Sequence, residues 1–156
     1  MAISLKGRNF FALEDFTPEE IRYLLDLAIQ LKKESREHVR HQHYIGEDFL
    51  LLFEMNSTRT RCAFETSAND LGMGTTFLSN SHFGNTETIK DSMRVFSEMY
   101  SAIGYRGAKH STLLEMAKDS RIPIINGYTD HQHPTQMLAD AMTLDEVWGR
   151  ENYKGK

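Results

Sequence analysis

The chain has 156 residues, 40% hydrophobic and 26% charged, with a net charge of −4. A chain of this size buries roughly 68–70% of its unfolded surface, enough for one core without staples, and this composition excludes a disordered chain. The negative balance gives no electrostatic reason to expect nucleic acid or an anionic membrane as partner.

The single cysteine, Cys62, excludes an intrachain disulfide framework and fits a reducing compartment, so the cytoplasm is the expected location. Residues 1–8 lack the apolar stretch of a signal peptide. No later window approaches the ~18 apolar residues of a membrane span, so no membrane partner is expected.

The first element opens at Thr17-Pro18-Glu19-Glu20, where a capping hydroxyl precedes proline at the first helical position and glutamate stands three residues after the cap. Ile21, Leu24, Leu25, Ala28 and Leu31 then recur at helical spacing, and the charged residues from Lys32 to Glu37 mark a solvated end. After a polar stretch, Phe49-Leu50-Leu51-Leu52-Phe53 is a short, wholly apolar run, which predicts a strand buried on both faces. A helix containing Cys62, Ala63, Phe64 and Leu71 stops at Gly72, with the thiol expected to be buried, and Thr75 to Leu78 predicts a second strand.

The alternation continues. A loop over 80–85 leads to a helical stripe of Ile89, Met93, Phe96 and Met99, then to a strand from Ala102 to Tyr105. Ser111 is a candidate cap for a short helix through Met116. Ile122 to Asn126 predicts a strand whose Pro123 marks an edge or a strand start, and a final helix opens near His133-Pro134 with Met137, Leu138, Ala141, Leu144 and Val147 on its apolar face. Strands alternating with helices predict an α/β fold, a parallel sheet of about four strands flanked by helices on both faces. The chain ends at Gly155-Lys156, just past that helix, as a piece of a longer protein would.

In such a sheet ligands bind outside the carboxyl ends of the strands. Three polar clusters fall on that edge: Ser57-Thr58-Arg59-Thr60-Arg61 after the first strand, Arg106-Gly107 after the third, and Asp130 to Gln136 after the fourth. The first cluster combines hydroxyls, a guanidinium and the backbone N–H groups of a helix start, which suits a phosphate. It lacks the glycines of a nucleotide-binding P-loop. Taken alone it also fits a helix cap followed by surface arginines, and a lone strand-end Arg106 also fits an ion pair. His133 and Gln136, three apart at a helix start, share one face and present an imidazole and an amide to a planar polar group. The pairs His41/His43 and His131/His133 lack a carboxylate or thiolate set, so no metal is expected.

The runs Phe53-Glu54-Met55-Asn56-Ser57-Thr58-Arg59-Thr60-Arg61-Cys62-Ala63-Phe64-Glu65, Tyr105-Arg106-Gly107 and His133-Pro134-Thr135-Gln136 resemble the signature blocks of the aspartate and ornithine carbamoyltransferases. The Cys-Ala-Phe-Glu and Tyr-Arg-Gly segments favour the ornithine branch. The resemblance covers nearly the whole chain, so it implies that residues 1–156 form a carbamoyl-phosphate-binding domain, with the amine-binding domain outside them. It implies transfer of a carbamoyl group from carbamoyl phosphate to ornithine, giving citrulline and phosphate in arginine metabolism, with no cofactor.

By motif, Ser57, Thr58, Arg59 and Thr60 would hold the phosphate, Arg106 would bridge phosphate and carbonyl oxygen, His133 would donate to that oxygen, and Gln136 would orient the carbamoyl amide. Arg61 would be structural. The family's Ser-Gln-x-Gly loop, which reaches a neighbouring site in a homotrimer, is represented by Ser81-His82-Phe83-Gly84, so His82 would make phosphate binding depend on pH. Met55 stands where the ornithine enzymes commonly carry lysine. Two other readings stay open from sequence: a phosphate-binding or regulatory module without catalysis, and a carbamoyltransferase for another amine such as aspartate or putrescine.

Overall fold

The computed structural model describes residues 3–150 and residue 152, so the ends at Met1-Ala2 and Gly155-Lys156 lie outside the described residues. Helix α1 (Pro18–Arg36) starts as its sequence dictates: Thr17 Oγ1 accepts from Glu20 N at 3.2 Å, and the Glu20 carboxylate returns to Thr17 N at 2.9 Å. Then follow β1 (Asp48–Phe53), α2 (Arg59–Asp70), β2 (Gly74–Leu78), α3 (Ile89–Met99), β3 (Ala102–Arg106), α4 (His110–Asp119), β4 (Ile124–Asn126) and α5 (Pro134–Trp148).

All three pairings are parallel, in the order β2-β1-β3-β4. The expected α/β fold of four parallel strands is therefore present. Strand β1 shows why both faces must be covered: Leu50 and Leu52 pack with Ile103 and Tyr105 beneath Met93 of α3 and Leu113 and Met116 of α4. The alternate residues Phe49, Leu51 and Phe53 pack with Ala68 and Phe64 of α2. Register places Leu51 opposite Gly104, where a side chain would press against Leu51 and Phe49, and Phe53 opposite Arg106.

The edge strand β4 begins just after Pro123, shorter than the 122–126 strand expected. Its outer rim is closed by the N-terminal segment, a pairing between residues more than a hundred apart that has no local signal in the sequence. Phe10 N donates to Ile124 O and Asn126 N donates to Phe10 O, each at 2.9 Å, while Asn9 Oδ1 accepts from Ile124 N.

Several local expectations are corrected. Helix α4 starts at His110, and Ser111 is already inside it. The acceptor for His110 N is Asp130 Oδ1 at 2.7 Å, a carboxylate brought from twenty residues away. Met99 is 60% exposed, since at 3.6 residues per turn it lies roughly 80° round the helix from Ile89. Leu31, Met137, Leu144 and Val147 are exposed too, so the apolar stripes of α1 and α5 are only partly covered. Cys62 is exposed on α2, because the buried side of that helix is set by Phe64 and Ala68.

These positions separate under substitution. Leu50→Ala, at full burial, is expected to lower unfolding free energy by about 2–5 kcal/mol in urea denaturation, whereas Met99→Ala should change it by less than about 0.5 kcal/mol.

Candidate functional site

Strand β1 has β2 on one side and β3 on the other, so the chain reverses its direction of travel across the sheet between β1 and β3. The two strand ends diverge into loops there and leave a crevice. Beyond the ladder Glu54 N still donates to Arg106 O at 2.9 Å, which keeps the two loop starts side by side.

Helix α2 opens toward that crevice with an unprotected end. Thr58, its N-cap residue, has an αR backbone and its side chain makes no capping bond, and Cys62 N to Thr58 O at 3.1 Å is an early backbone bond of the helix. The first-turn N–H groups and the positive end of the helix dipole thus face outward beside Ser57, Thr58, Arg59 and Thr60.

Arg106 leaves the end of β3 and is held at one nitrogen. Its Nη1 donates to Gly127 O at 3.1 Å and to Thr60 Oγ1 at 3.3 Å, and its guanidinium carbon stands 4.7 Å from the centroid of the Tyr128 ring. Its Nε is buried and has no hydrogen-bond partner among the described residues, an expensive condition for a charged group unless a ligand meets it. Gly107 follows because a side chain there would run into the Tyr105 phenol and the Glu54 carboxylate. That phenol donates to Glu54 Oε2, and its pKa is raised, first by burial and then by the carboxylate, so it remains a neutral donor.

The third cluster is organised by Asn126, a fully buried amide. Its Nδ2 donates to Phe11 O at 2.8 Å and Gln132 O at 3.1 Å and lies 3.3 Å from Thr129 Oγ1, and its Oδ1 accepts from Tyr128 N at 2.9 Å. These bonds curl residues 127–133 so that His133 takes the N-cap position of α5 without a side-chain capping bond, with Pro134 in the first turn. Asn126 lies outside the three clusters expected from sequence; its signal there is a polar amide ending an apolar strand.

His133 Nδ1 lies 3.2 Å from Thr135 Oγ1, so when the hydroxyl donates, the remaining ring proton sits on Nε2. Burial first and the neighbouring Arg106 charge second hold this imidazole below the ordinary histidine range, with Asp140 acting in the opposite direction. Gln136 Nε2 donates to Asp140 Oδ1 at 2.9 Å, which fixes the amide and leaves its oxygen as an acceptor.

Ser57, Thr58, Arg59, Thr60, Arg106, His133 and Gln136 all line one cleft of about 720 Å³, together with Phe64 and Tyr128. The arrangement can hold a tetrahedral anion over the α2 N-terminus with an adjoining planar polar group toward α5. Arg61 turns elsewhere, its Nε 3.0 Å from Glu65 and its guanidinium 3.6 Å from the Phe77 ring centroid. His82 does not line the cleft. It is exposed, with Nδ1 2.6 Å from Thr86 Oγ1 in its own loop, and Met55 also lies outside the lining. Among the described residues no three His, Cys, Asp or Glu side chains gather as a metal centre, and no helix is long and apolar enough to cross a membrane.

Residues 8–146 match the family described as aspartate/ornithine carbamoyltransferase, carbamoyl-P binding domain. The chain is 51% identical over 146 residues to the catabolic ornithine carbamoyltransferase of Clostridium perfringens strain 13, covering 94% of this chain and 44% of that protein. Its fold is similar to ornithine carbamoyltransferase from Pyrococcus furiosus, with TM-score 0.90 and 36% identity over 93% of this chain and 47% of that one. A putative aspartate carbamoyltransferase from Trypanosoma cruzi, 24% identical with TM-score 0.88, shares the fold. The chain thus spans less than half the length of the curated relative it matches at 51% identity.

The depressed pKa of His133 has a definite sign. As pH falls through the ordinary histidine value the unfolded chain takes up a proton before the folded one, so stability is full above that value and declines below it until the folded imidazole is protonated as well. NMR titration of His133 is expected to give a midpoint below about 6.5. Arg106→Gln should move that midpoint upward, and an unchanged midpoint would remove Arg106 as a cause.

Proposed function

The chain belongs to the aspartate/ornithine carbamoyltransferase family, in its carbamoyl-phosphate-binding part, and from that membership we propose that residues 1–156 are the carbamoyl-phosphate-binding domain of an ornithine carbamoyltransferase. The observation that carries the reading is the convergence of Arg59, Arg106, His133 and Gln136 in one cleft at the uncapped end of α2. The amine-binding domain lies outside this chain, and the complete enzyme transfers the carbamoyl group to ornithine.

In this mechanism the phosphate rests on the first-turn N–H groups of α2, the hydroxyls of Ser57, Thr58 and Thr60, and the Arg59 guanidinium. Arg106 spans phosphate and carbonyl oxygen, using the Nε that lacks a protein partner. Neutral His133 donates its Nε2 proton as a hydrogen bond to the carbonyl oxygen, and the Gln136 oxygen accepts from the carbamoyl NH₂. The amine attacks the carbonyl carbon and the carbonyl oxygen gains negative charge; as the C=O re-forms, the C–O bond to phosphate breaks with its electron pair leaving on phosphate, whose oxygen takes the amine's proton. Fixed donors at both centres of growing charge stabilise the transition state more than the ground state.

The proposal extends to a cytoplasmic homotrimer in which the loop carrying His82 reaches a neighbour's phosphate. His82→Gln is then expected to weaken phosphate binding by the assembled protein, and a variant that binds as the wild type does would remove His82 from the site.

Calorimetric titration of carbamoyl phosphate into this chain, with inorganic phosphate alongside, tests the main reading. Carbamoyl phosphate is expected to bind more tightly than phosphate, and Arg59→Ala or Arg106→Ala to weaken it about 10- to 100-fold, the loss of one charge-assisted hydrogen bond. Equal affinity for the two ligands, or variants that bind as the wild type does, would overturn it.

A further inference from the structure

Tyr128 carries an unusual set of constraints for a side chain that none of the sequence motifs includes. Its φ is +149°, a backbone conformation that L side chains rarely adopt, and the loop imposes it through two bonds: Tyr128 N donates to Asn126 Oδ1 at 2.9 Å, and Tyr128 O accepts from Gly107 N at 3.1 Å. The position would suit glycine, which would remove the strain, yet the chain places there a half-buried aromatic ring.

That ring touches both polar arms of the cleft. The Arg106 guanidinium lies over it at 4.7 Å from the centroid, and the His133 imidazole meets it edge-on, with centroids 5.9 Å apart and planes at 81°. Among the described residues Arg106 is otherwise hydrogen-bonded only through Nη1, so the ring is what fixes the second dimension of its plane and thereby the aim of Nε. We infer that Tyr128 is a positioning residue that sets the mutual orientation of Arg106 and His133 through its π face and edge. The inference rests on the carbamoyl-phosphate reading of the cleft.

A ring in that place has two measurable effects. It attracts the guanidinium through its quadrupole, an effect that an aliphatic side chain of similar size does not reproduce. It also covers one side of His133, whose pKa is lowered first by burial and then by Arg106, with Asp140 opposing. Phenylalanine keeps both effects. Leucine loses the quadrupole and part of the cover.

The test compares wild type, Tyr128→Phe and Tyr128→Leu by three readouts: thermal midpoint, the NMR titration of His133, and calorimetric affinity for carbamoyl phosphate and inorganic phosphate. Tyr128→Leu is expected to weaken carbamoyl phosphate about fivefold, the worth of a cation–π contact, and to raise the His133 midpoint, with the thermal midpoint near wild type. Tyr128→Phe should restore both. A His133 midpoint that is the same in all three proteins overturns the inference whatever the ligand does, as does a phenylalanine variant that loses as much as leucine. A wild type that binds carbamoyl phosphate no better than phosphate, with the His133 midpoint still moving in Tyr128→Leu, overturns the substrate reading and supports the positioning role.

Discussion

Burial of β1 on both faces is the constraint from which the rest of this structure follows. Phe49 to Phe53 leave no side of the strand that tolerates water, and each of the five side chains gives roughly 1.5–3 kcal/mol on transfer from solvent. Helices must cover both faces, the connections must cross over, and the strands become parallel. Parallel strands deliver their loops to one edge, and the reversal between β2 and β3 on either side of β1 opens that edge into a cleft.

The cleft concentrates features that a merely stable protein would avoid. Thr58 leaves the α2 end uncapped, Arg106 Nε is buried without a partner, and Tyr128 has a positive φ. Each costs on the order of 1–3 kcal/mol. Departures outside the cleft are of other kinds, the positive φ of His38 and Asn80 and the buried Ser92 hydroxyl, while the capping box at Thr17 and Glu20 is complete and the Asn126 amide is bonded at both ends. Those in the cleft fall on an open helix end and a charged nitrogen, groups whose cost an anionic ligand would offset.

The electrostatics divide labour in the same space. Arg59 and Arg106 supply fixed charge, and the α2 N-terminus adds its dipole. His133, held below the ordinary histidine range by burial and by Arg106, places an imidazole beside them that resists taking up another charge. A protonated imidazole there would be repelled by the guanidinium, so the arrangement separates charge binding from hydrogen-bond donation. The Asn126 amide, with its bonds to residues on both sides of the loop, is what holds His133 in that relation.

From the sequence by itself came the element types, the parallel sheet and the polar clusters at its carboxyl edge. Those follow from period and from residue chemistry within a few neighbours: the capping box at Thr17, the unbroken apolar run after Asp48, and the run of hydroxyls and arginines after Phe53. Tertiary structure decided what depends on partners far along the chain. It brought Asp130 rather than Ser111 to the start of α4, Phe10 to the rim of β4, and Tyr128 between Arg106 and His133. It also left Met99, Val147 and Cys62 exposed, because which side of an apolar helix meets the core is fixed by where the helix sits on the sheet. Local pattern determines what a segment can become, and long-range packing determines what it faces.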